Sequence, residues 1–285
     1  MLCWCLGANI FSLLIKKLKV YFFSHMAIIT FLSDFGWRDH YVASVKAKIL
    51  SVIPNINILD ISHEIEPFNI SHAAFVLGAV FRDFPQGTVH LVAVSSQSKS
   101  EEKFIAMKLE EHYFVGPDNG IFSLLSDRNP SVIVELQNDP LIAANFPEKN
   151  VLAHAAVALA SGRALYDIGK QMMAIHRLIS RQIKTTKNEI EGRISHIDKY
   201  GNLITNIKLE DYTLVSKSRQ ARIQIGSTTV DGISDSYYKK EGGDCICLFN
   251  SLGLLEVSII HGHAGKLLNM RHDSPIKVIF SPSLE

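Results

Sequence analysis

From Ile28 to Ser161, short runs rich in β-branched and aromatic residues alternate with stretches of helical period, and proline or glycine stands at most of the changes. That rhythm constrains the fold more than any other feature of the chain. Parallel strands cannot be joined by a tight hairpin, and a helix is the usual crossover that returns the chain to the same end of a sheet. A chain that repeats strand and helix therefore folds as an α/β domain with a mostly parallel sheet. The strand runs are Ile28 to Leu32, Asn57 to Ile61, Thr88 to Val94, Phe104 to Leu109, Tyr113 to Val115 and Val132 to Leu136. Helices are expected over 39–52, stopped by Pro54, over 70–84, ending at Pro85, after the turn Gly-Pro-Asp-Asn-Gly at 116–120, and over about 151–161.

Residues 171–188, with Arg177, Arg181, Lys184 and Lys187, read as a polar connection. Beyond it short β-like runs take over, at Gly192 to Ile197, Leu203 to Ile207, Ala221 to Ile225, Cys245 to Phe249 and Leu254 to Ile260. An α/β domain at 26–170 is thus followed by a smaller all-β domain, barrel or sandwich, at 189–285. Residues 1–25 stand apart: Met1 to Ile15 is almost wholly apolar, and Lys16, Lys17 and Lys19 follow. The run is shorter than a membrane span and lacks both the basic start and the small-residue cleavage site of a secretory signal. Translation from Met26 is the preferred reading, with an interfacial anchor as the alternative.

With 29 basic against 28 acidic residues and a formal charge of +1, the chain has no electrostatic footprint for nucleic acid or an anionic membrane. A small-molecule ligand is the better expectation. The four cysteines form two Cys-x-Cys pairs, Cys3/Cys5 and Cys245/Cys247, neither with the two-residue gap of a zinc or redox motif. A reducing, cytoplasmic compartment follows. On a strand Cys245 and Cys247 share one face, as small buried thiols would.

Asp34, in Ser-Asp-Phe-Gly just past the first strand, is the best-placed carboxylate, because open α/β sheets bind ligands outside the carboxyl ends of their strands. It could accept bonds from ribose hydroxyls, or cap the next helix near Asp39. A phosphoryl-transfer role has little support, since no glycine-rich phosphate loop follows the strand. Asp60, His63, Glu64 and Glu66 are rich in potential metal ligands but fit no established spacing, so a solvated loop is preferred to a metal site. His261 and His263 read as a turn. Asp198-Lys-Tyr-Gly-Asn202 and Asn250-Ser-Leu-Gly-Leu-Leu-Glu256 are two polar turns beside strands. Together they could hydrogen-bond a flat base edge while Tyr200 offers a stacking face.

In order and spacing these segments resemble the S-adenosyl-L-methionine hydroxide adenosyltransferase family, which also contains fluorinases and chlorinases. The resemblance rests on Ser-Asp-Phe-Gly-x-x-Asp-x-Tyr-Val at 33–42, Ile-Ser-His-x-Ile-x-Pro-Phe-x-Ile at 61–70, Gly-Pro-Asp-Asn-Gly at 116–120, Asp-x-Tyr-Gly-Asn-Leu-Ile-Thr-Asn at 198–206 and Asn-Ser-x-Gly-x-Leu-Glu at 250–256. It implies a homotrimer with the nucleoside held between subunits, S-adenosylmethionine as the substrate or ligand, and no further cofactor or metal. It also implies residue roles. Asp34 would hold the ribose hydroxyls and Phe68 line the ribose pocket, with Tyr41 and Asp198 towards methionine; Asp39 belongs to the same first motif. Tyr200 and Asn202 would face adenine, with Ser251, Glu256 and the backbone near Ala264 beside them.

The resemblance fails where water is activated. Hydrolytic members carry Val-Asp-Pro-Gly-Val-Gly followed by Arg, and later Phe-His-Gly-Arg-Asp. Here the stretches read Val94-Ser-Ser-Gln-Ser-Lys-Ser-Glu-Glu-Lys103 and Phe146-Pro-Glu-Lys-Asn150, so Ser95, Glu102 and Pro147 stand at the Asp, Arg and His positions. A lost base costs about 10²- to 10⁴-fold in rate. Weak or altered transfer to water is the leading expectation, with Glu148 or His154 as possible substitutes for the base. A non-catalytic nucleoside-binding module is the second, and attack by halide, with Ser95, Ser96 and Ser98 as donors, the third.

Overall fold

The computed structural model of the chain describes residues 27–96, 103–137, 145–179 and 181–282. The apolar start, Cys3, Cys5, Ser98 and Glu102 lie outside the described residues. The chain divides into two compact units between Leu178 and Ile179.

The first unit is built on β1 (Ile28–Ser33), β2 (Asn57–Ser62), β3 (Val89–Ala93), β4 (Phe104–Leu109), β5 (His112–Pro117), β6 (Val132–Leu136) and β7 (Gly169–Gln171). They form one mixed sheet in the order β2-β1-β3-β5-β4-β6-β7. Pairing is parallel from β2 to β5 and antiparallel from there to β7. The change of sense has a local cause. Glu110 and Glu111, the two residues between β4 and β5, both have positive φ, 48° and 64°, which is the two-residue hairpin turn that suits twisted antiparallel strands. Arg82 holds Glu110 with two bonds, of 2.8 and 2.9 Å, and Ser126 Oγ donates a third. The Arg82 guanidinium keeps the Glu110 carboxyl down at about 2.

Helices α1 (Tyr41–Leu50) and α2 (Ile70–Val80) follow β1 and β2, and α3 (Ala153–Ala160) follows β6. Val45 and Ile49 of α1 and Ala156 of α3 pack with Phe31 and Leu91 on one side of the sheet. Leu77 of α2 packs with Phe81, Met107 and Ile121 in a second cluster on the other. Burial on both faces explains why β1 and β3 read as nearly unbroken apolar runs. Asn69 caps α2 by accepting from His72 N at 2.9 Å. The helix stops four residues sooner than its period suggests, and a 3₁₀ turn at Phe81–Asp83 completes it. After the turn at 116–120 there is likewise only a 3₁₀ turn, Ile121–Leu124.

The second unit contains β8 (Lys184–Thr185), β9 (Glu189–Ile197), β10 (Leu203–Lys208), β11 (Ala221–Ile225), β12 (Thr228–Asp231), β13 (Cys245–Phe249), β14 (Leu254–Ile259) and β15 (Pro275–Phe280), with helices α4 (Leu209–Ser216) and α5 (Ala264–Leu267). All its pairs are antiparallel, in the order β12-β11-β15-β9-β10-β14-β13, with β8 beside β9. The two ends of this path approach each other where Ser234 N donates to Cys247 O at 2.7 Å, so the sheet is nearly a barrel. β9 pairs with β15 through Arg193 and with β10 from Ile194. Gly192 permits that bend, because a Cβ there would lie 2.5 Å from Ile207 Cγ1. Cys247 is buried and Cys245 partly so; both are free, and burial pushes both thiols up, so they remain neutral. Among the described residues no helix is long and apolar enough to cross a membrane.

Beneath β1, β3 and β5 runs a buried polar chain. Thr30 Oγ1 lies 2.7 Å from His90 Nδ1, and His90 Nε2 lies 3.2 Å from His112 Nδ1. Burial, then the neighbouring His112, hold the His90 imidazole down at about 3, so it is neutral in the fold. The unfolded chain takes up that proton below about pH 6.5, so the contribution is whole above 6.5 and is lost as pH falls towards 3. Urea midpoints should therefore fall on acidification, with His90 contributing up to about 1.4 kcal/mol per pH unit. In His90→Gln the slope between pH 6 and 4 should be shallower by about one proton.

Candidate active site

In the first unit the connection from β1 leads to β2 on one side, and the next strand, β3, lies on the other. The crevice beyond the carboxyl ends of β1 and β3 is thus the point where the winding reverses, where open α/β sheets bind ligands. Asp34 follows β1 there and Ser95 follows β3. Asp34 N donates to Ala93 O at 3.4 Å. One carboxylate oxygen, Asp34 Oδ2, accepts from Phe68 N at 3.0 Å and from Ser95 N at 3.2 Å. Both donors are non-glycine residues in the left-handed region, with φ of 64° and 53°. Such backbone persists only where surrounding bonds over-determine it. Asn119, from the 116–120 turn, adds a second hold, its Nδ2 donating to Val94 O at 2.9 Å and Ser95 O at 3.4 Å.

Asp34 is therefore not a helix cap. The residue in that position for α1 is His40, whose side chain makes no cap bond, and Asp39 is exposed beside it. No described residue donates to Asp34 Oδ1. The Phe68 ring, on the loop whose N–H meets Asp34, is 76% exposed.

Phe146 packs edge-on against Phe35, with centroids 6.1 Å apart, and against Tyr41 at 5.6 Å. This aromatic group ties the 146–150 segment to the loop after β1. Pro147 is helical in backbone, and a π-helical turn, Glu148–Leu152, opens behind it and runs into α3. Glu148 is only 5% exposed. Burial pushes its carboxyl up, the neighbouring Ser96 hydroxyl pulls the other way, and the Asp34 charge raises it further. Among the described residues Ser96 Oγ is buried without a well-aligned hydrogen-bond partner, yet it lies close enough to Glu148 for its hydroxyl to lower that carboxyl. His154 does not join them: its Nδ1 lies 2.7 Å from Asn150 O, and it lines a separate cavity with Arg163 and Asp167.

The expected solvated loop at 60–66 requires correction at its centre. His63 is wholly buried, its Nδ1 2.6 Å from Ser33 Oγ and its ring edge-on to Phe31 and Trp37. Nε2 faces Asp60 Oδ1 at 3.0 Å, off the line of a good hydrogen bond, while Lys46 holds Asp60 Oδ2. Desolvation lowers this imidazole, and its carbonyl accepts from Gly36 N at 2.7 Å. His63 thus braces the loop that carries Asp34. Glu64 and Glu66 are exposed, and among the described residues no three metal-binding side chains cluster.

In the second unit a cavity of about 720 Å³ is lined by Tyr200, Asn202, Tyr237, Ser258, His261 and His263, among others. Tyr200 is 81% exposed, an open face for stacking. Asp198 fixes the turn beneath it, its carboxylate accepting from Asn202 N and Nδ2, both at 2.9 Å. Gly201, at φ 90°, must be glycine, since a Cβ would collide with the His263 ring. His263 caps α5, and Gly265 N donates to Gly201 O at 3.0 Å, which brings the backbone beside Ala264 to the Tyr200 turn. Behind the wall, Glu256 is buried and accepts from Tyr237 Oη at 2.5 Å, Ser258 Oγ at 2.8 Å and Asn250 Nδ2 at 3.2 Å. Burial and the Glu256 carboxylate push the Tyr237 phenol up to about 12. Ser251 sits exposed on the adjoining turn, outside the cavity lining. Asn119, Tyr237 and Ser258 escape sequence reasoning. Two carried a usable signal: Asn119 lies in the 116–120 turn motif, and Ser258 stands two residues from Glu256 on one strand face.

The α/β unit thus carries a carboxylate at its winding reversal, and the β unit, taken by itself, carries a cavity beside an exposed aromatic turn. The chain matches the SAM hydroxide adenosyltransferase N-terminal domain over residues 29–169 and the C-terminal domain over 192–277, and it belongs to that family. It is 32% identical over 267 residues to the (R)-S-adenosyl-L-methionine hydrolase of Methanocaldococcus jannaschii, covering 89% of this chain and 96% of that one. A fluorinase of Actinoplanes sp. is 24% identical, with 81% of this chain and 90% of the relative covered. Among solved structures, an uncharacterized conserved protein from Thermotoga maritima superposes with a TM-score of 0.81 at 29% identity, over 88% of this chain and 99% of that one.

Because Asp34 satisfies two strained amides, Asp34→Ala should cost about 2–3 kcal/mol in stability, against about 0.5 kcal/mol for Asp39→Ala on the open surface. Urea denaturation at pH 7 measures both.

Proposed function

We propose that the protein binds S-adenosylmethionine by its adenosyl part and transfers that group to water, giving adenosine and L-methionine, at a rate reduced or altered by the replaced Asp, Arg and His. The observation that carries this reading is the doubly held Asp34 carboxylate at the sheet's reversal point, whose Oδ1 accepts from none of the described residues and can take a ribose hydroxyl. Two relatives that match nearly end to end bear the name S-adenosylmethionine hydrolase, which supports the same reaction. Tyr200 and Asn202 serve adenine in this reading, with Tyr237 and Ser258 added to that wall; Tyr41 and Asp198 lie towards methionine. The sites are completed between subunits of a homotrimer. Two free, neutral thiols fit a reducing, cytoplasmic setting.

Methionine leaves as a neutral thioether and needs no proton. The protein's work is to hold ribose C5′ in line with the nucleophile and to exclude competing solvent. The rival reading, a binding module without turnover, draws on Ser95 and Pro147, which offer no ionisable side chain.

Purified protein incubated with S-adenosylmethionine, with and without chloride, should release adenosine and methionine in equal amounts and no chloroadenosine, as followed by chromatography. The rate should lie below that of the M. jannaschii hydrolase assayed alongside. Tight binding of adenosine without product would replace the enzyme by the module; absence of binding would remove the adenosyl assignment. Light scattering should give about three times the 31.8 kDa chain mass.

A further inference from the structure

Glu148 is a carboxyl group that folding has taken almost wholly out of water without giving it a cation among the described residues. A buried carboxylate without a counter-ion is expensive, and one retained near a second carboxylate is a functional candidate on physical grounds. What faces it narrows the function. Asp34, on the loop after β1, is near enough for its charge to act on it, and Ser96, on the turn after β3, lies beside it. Behind Phe146 stands Tyr41 of α1. Its own element adds Lys149 and, a turn on, His154, which is engaged with the Asn150 carbonyl. Ser96 Oγ is buried and has no well-aligned partner among the described residues. A hydroxyl without a well-aligned partner beside a buried carboxyl, both out of bulk solvent, offers the two polar contacts a single bound water requires. Ser95, one residue before Ser96, donates its N–H to the carboxylate assigned to the ribose. The water would thus lie one residue along the chain from the sugar's anchor.

We infer that Glu148 is the general base for the attacking water, a role this chain has moved from the replaced Asp, Arg and His positions to the carboxyl that begins its π-helical turn. The inference rests on the adenosyl-transfer reading above. In the step, the water oxygen bonds to ribose C5′ as the C5′–S bond breaks. That electron pair leaves on sulfur and neutralises the sulfonium, and the water proton passes to the Glu148 carboxylate, which later releases it to solvent. Ser96 Oγ orients the water from the other side. The burial that raises this carboxyl brings its basicity closer to neutral pH, as base catalysis favours.

The test compares the full-length parent chain with Glu148→Gln and Glu148→Asp, measuring adenosine formation from S-adenosylmethionine between pH 4 and 9 and adenosine affinity by calorimetry. The parent rate should rise along a limb lying above the ordinary carboxylate value of 4.5. Glu148→Gln should lose about 10²- to 10⁴-fold in turnover and lose that limb, with adenosine affinity unchanged. Glu148→Asp should keep the limb at an intermediate rate, which also answers the case in which the Gln variant fails to fold. Turnover of Glu148→Gln within about threefold of the parent, with the same limb, overturns the assignment. So does a loss of turnover matched by an equal loss of adenosine binding. A parent that binds adenosine without turnover overturns the base and leaves adenosyl binding standing, whereas a parent that binds nothing overturns both.

Discussion

The site in the first unit depends on one carboxylate oxygen. Asp34 Oδ2 gathers N–H groups from two loops that have no other common element, one after β2 and one after β3. Each loop presents its N–H only because Phe68 or Ser95 adopts a backbone that a side-chain-bearing residue normally avoids. Bond and strain are therefore linked: without the acceptor the strained turns relax, and without the turns the carboxylate has no fixed direction. A charged acceptor with two amide donors is among the stronger non-covalent links available to a loop. It sets the loops around the crevice before any ligand arrives.

The mixed sheet explains why the crevice lies where it does. Parallel pairing of β2, β1 and β3 brings three strand ends to one edge, and the reversal of winding opens a gap between two of them. The antiparallel half beyond β5 contributes no comparable gap but supplies Asn119, on the turn that leaves β5. In the second unit, the same demand for a fixed polar edge is met differently. Glu256 is held behind the cavity wall and orients Tyr237 and Ser258, while Asp198 orients Asn202, so the side chains facing the cavity have few rotamers left.

Much of this was legible beforehand because it depends on pattern. Strand and helix period revealed the two domain types, and the ordered motifs revealed the family. Asp34 stood out because a carboxylate after the first strand has few purposes. What was hidden depended on three-dimensional neighbours. His63 reads as a polar loop residue, yet Ser33 from another strand and the ring of Trp37 enclose it. The sense change at Glu110-Glu111 is invisible to composition, because it uses the left-handed region without glycine or asparagine. Glu148 and His154 looked equivalent as substitutes on sequence alone. One is turned inwards beside Ser96 and the other outwards, a difference set by helical phase rather than residue type.

That phase has a definite origin. Ala153 N reaches back five residues to Glu148 O, so the turn holds one residue more than an α-helical turn would. An added residue rotates whatever precedes it by roughly 100° relative to the helix body. The body of α3 can keep its apolar face on the sheet while Glu148 points elsewhere. The orientation of the reactive group is thereby uncoupled from the packing of the core. In this corner of the molecule, a change in chain length is a means of altering chemistry that substitution at a fixed length cannot reproduce.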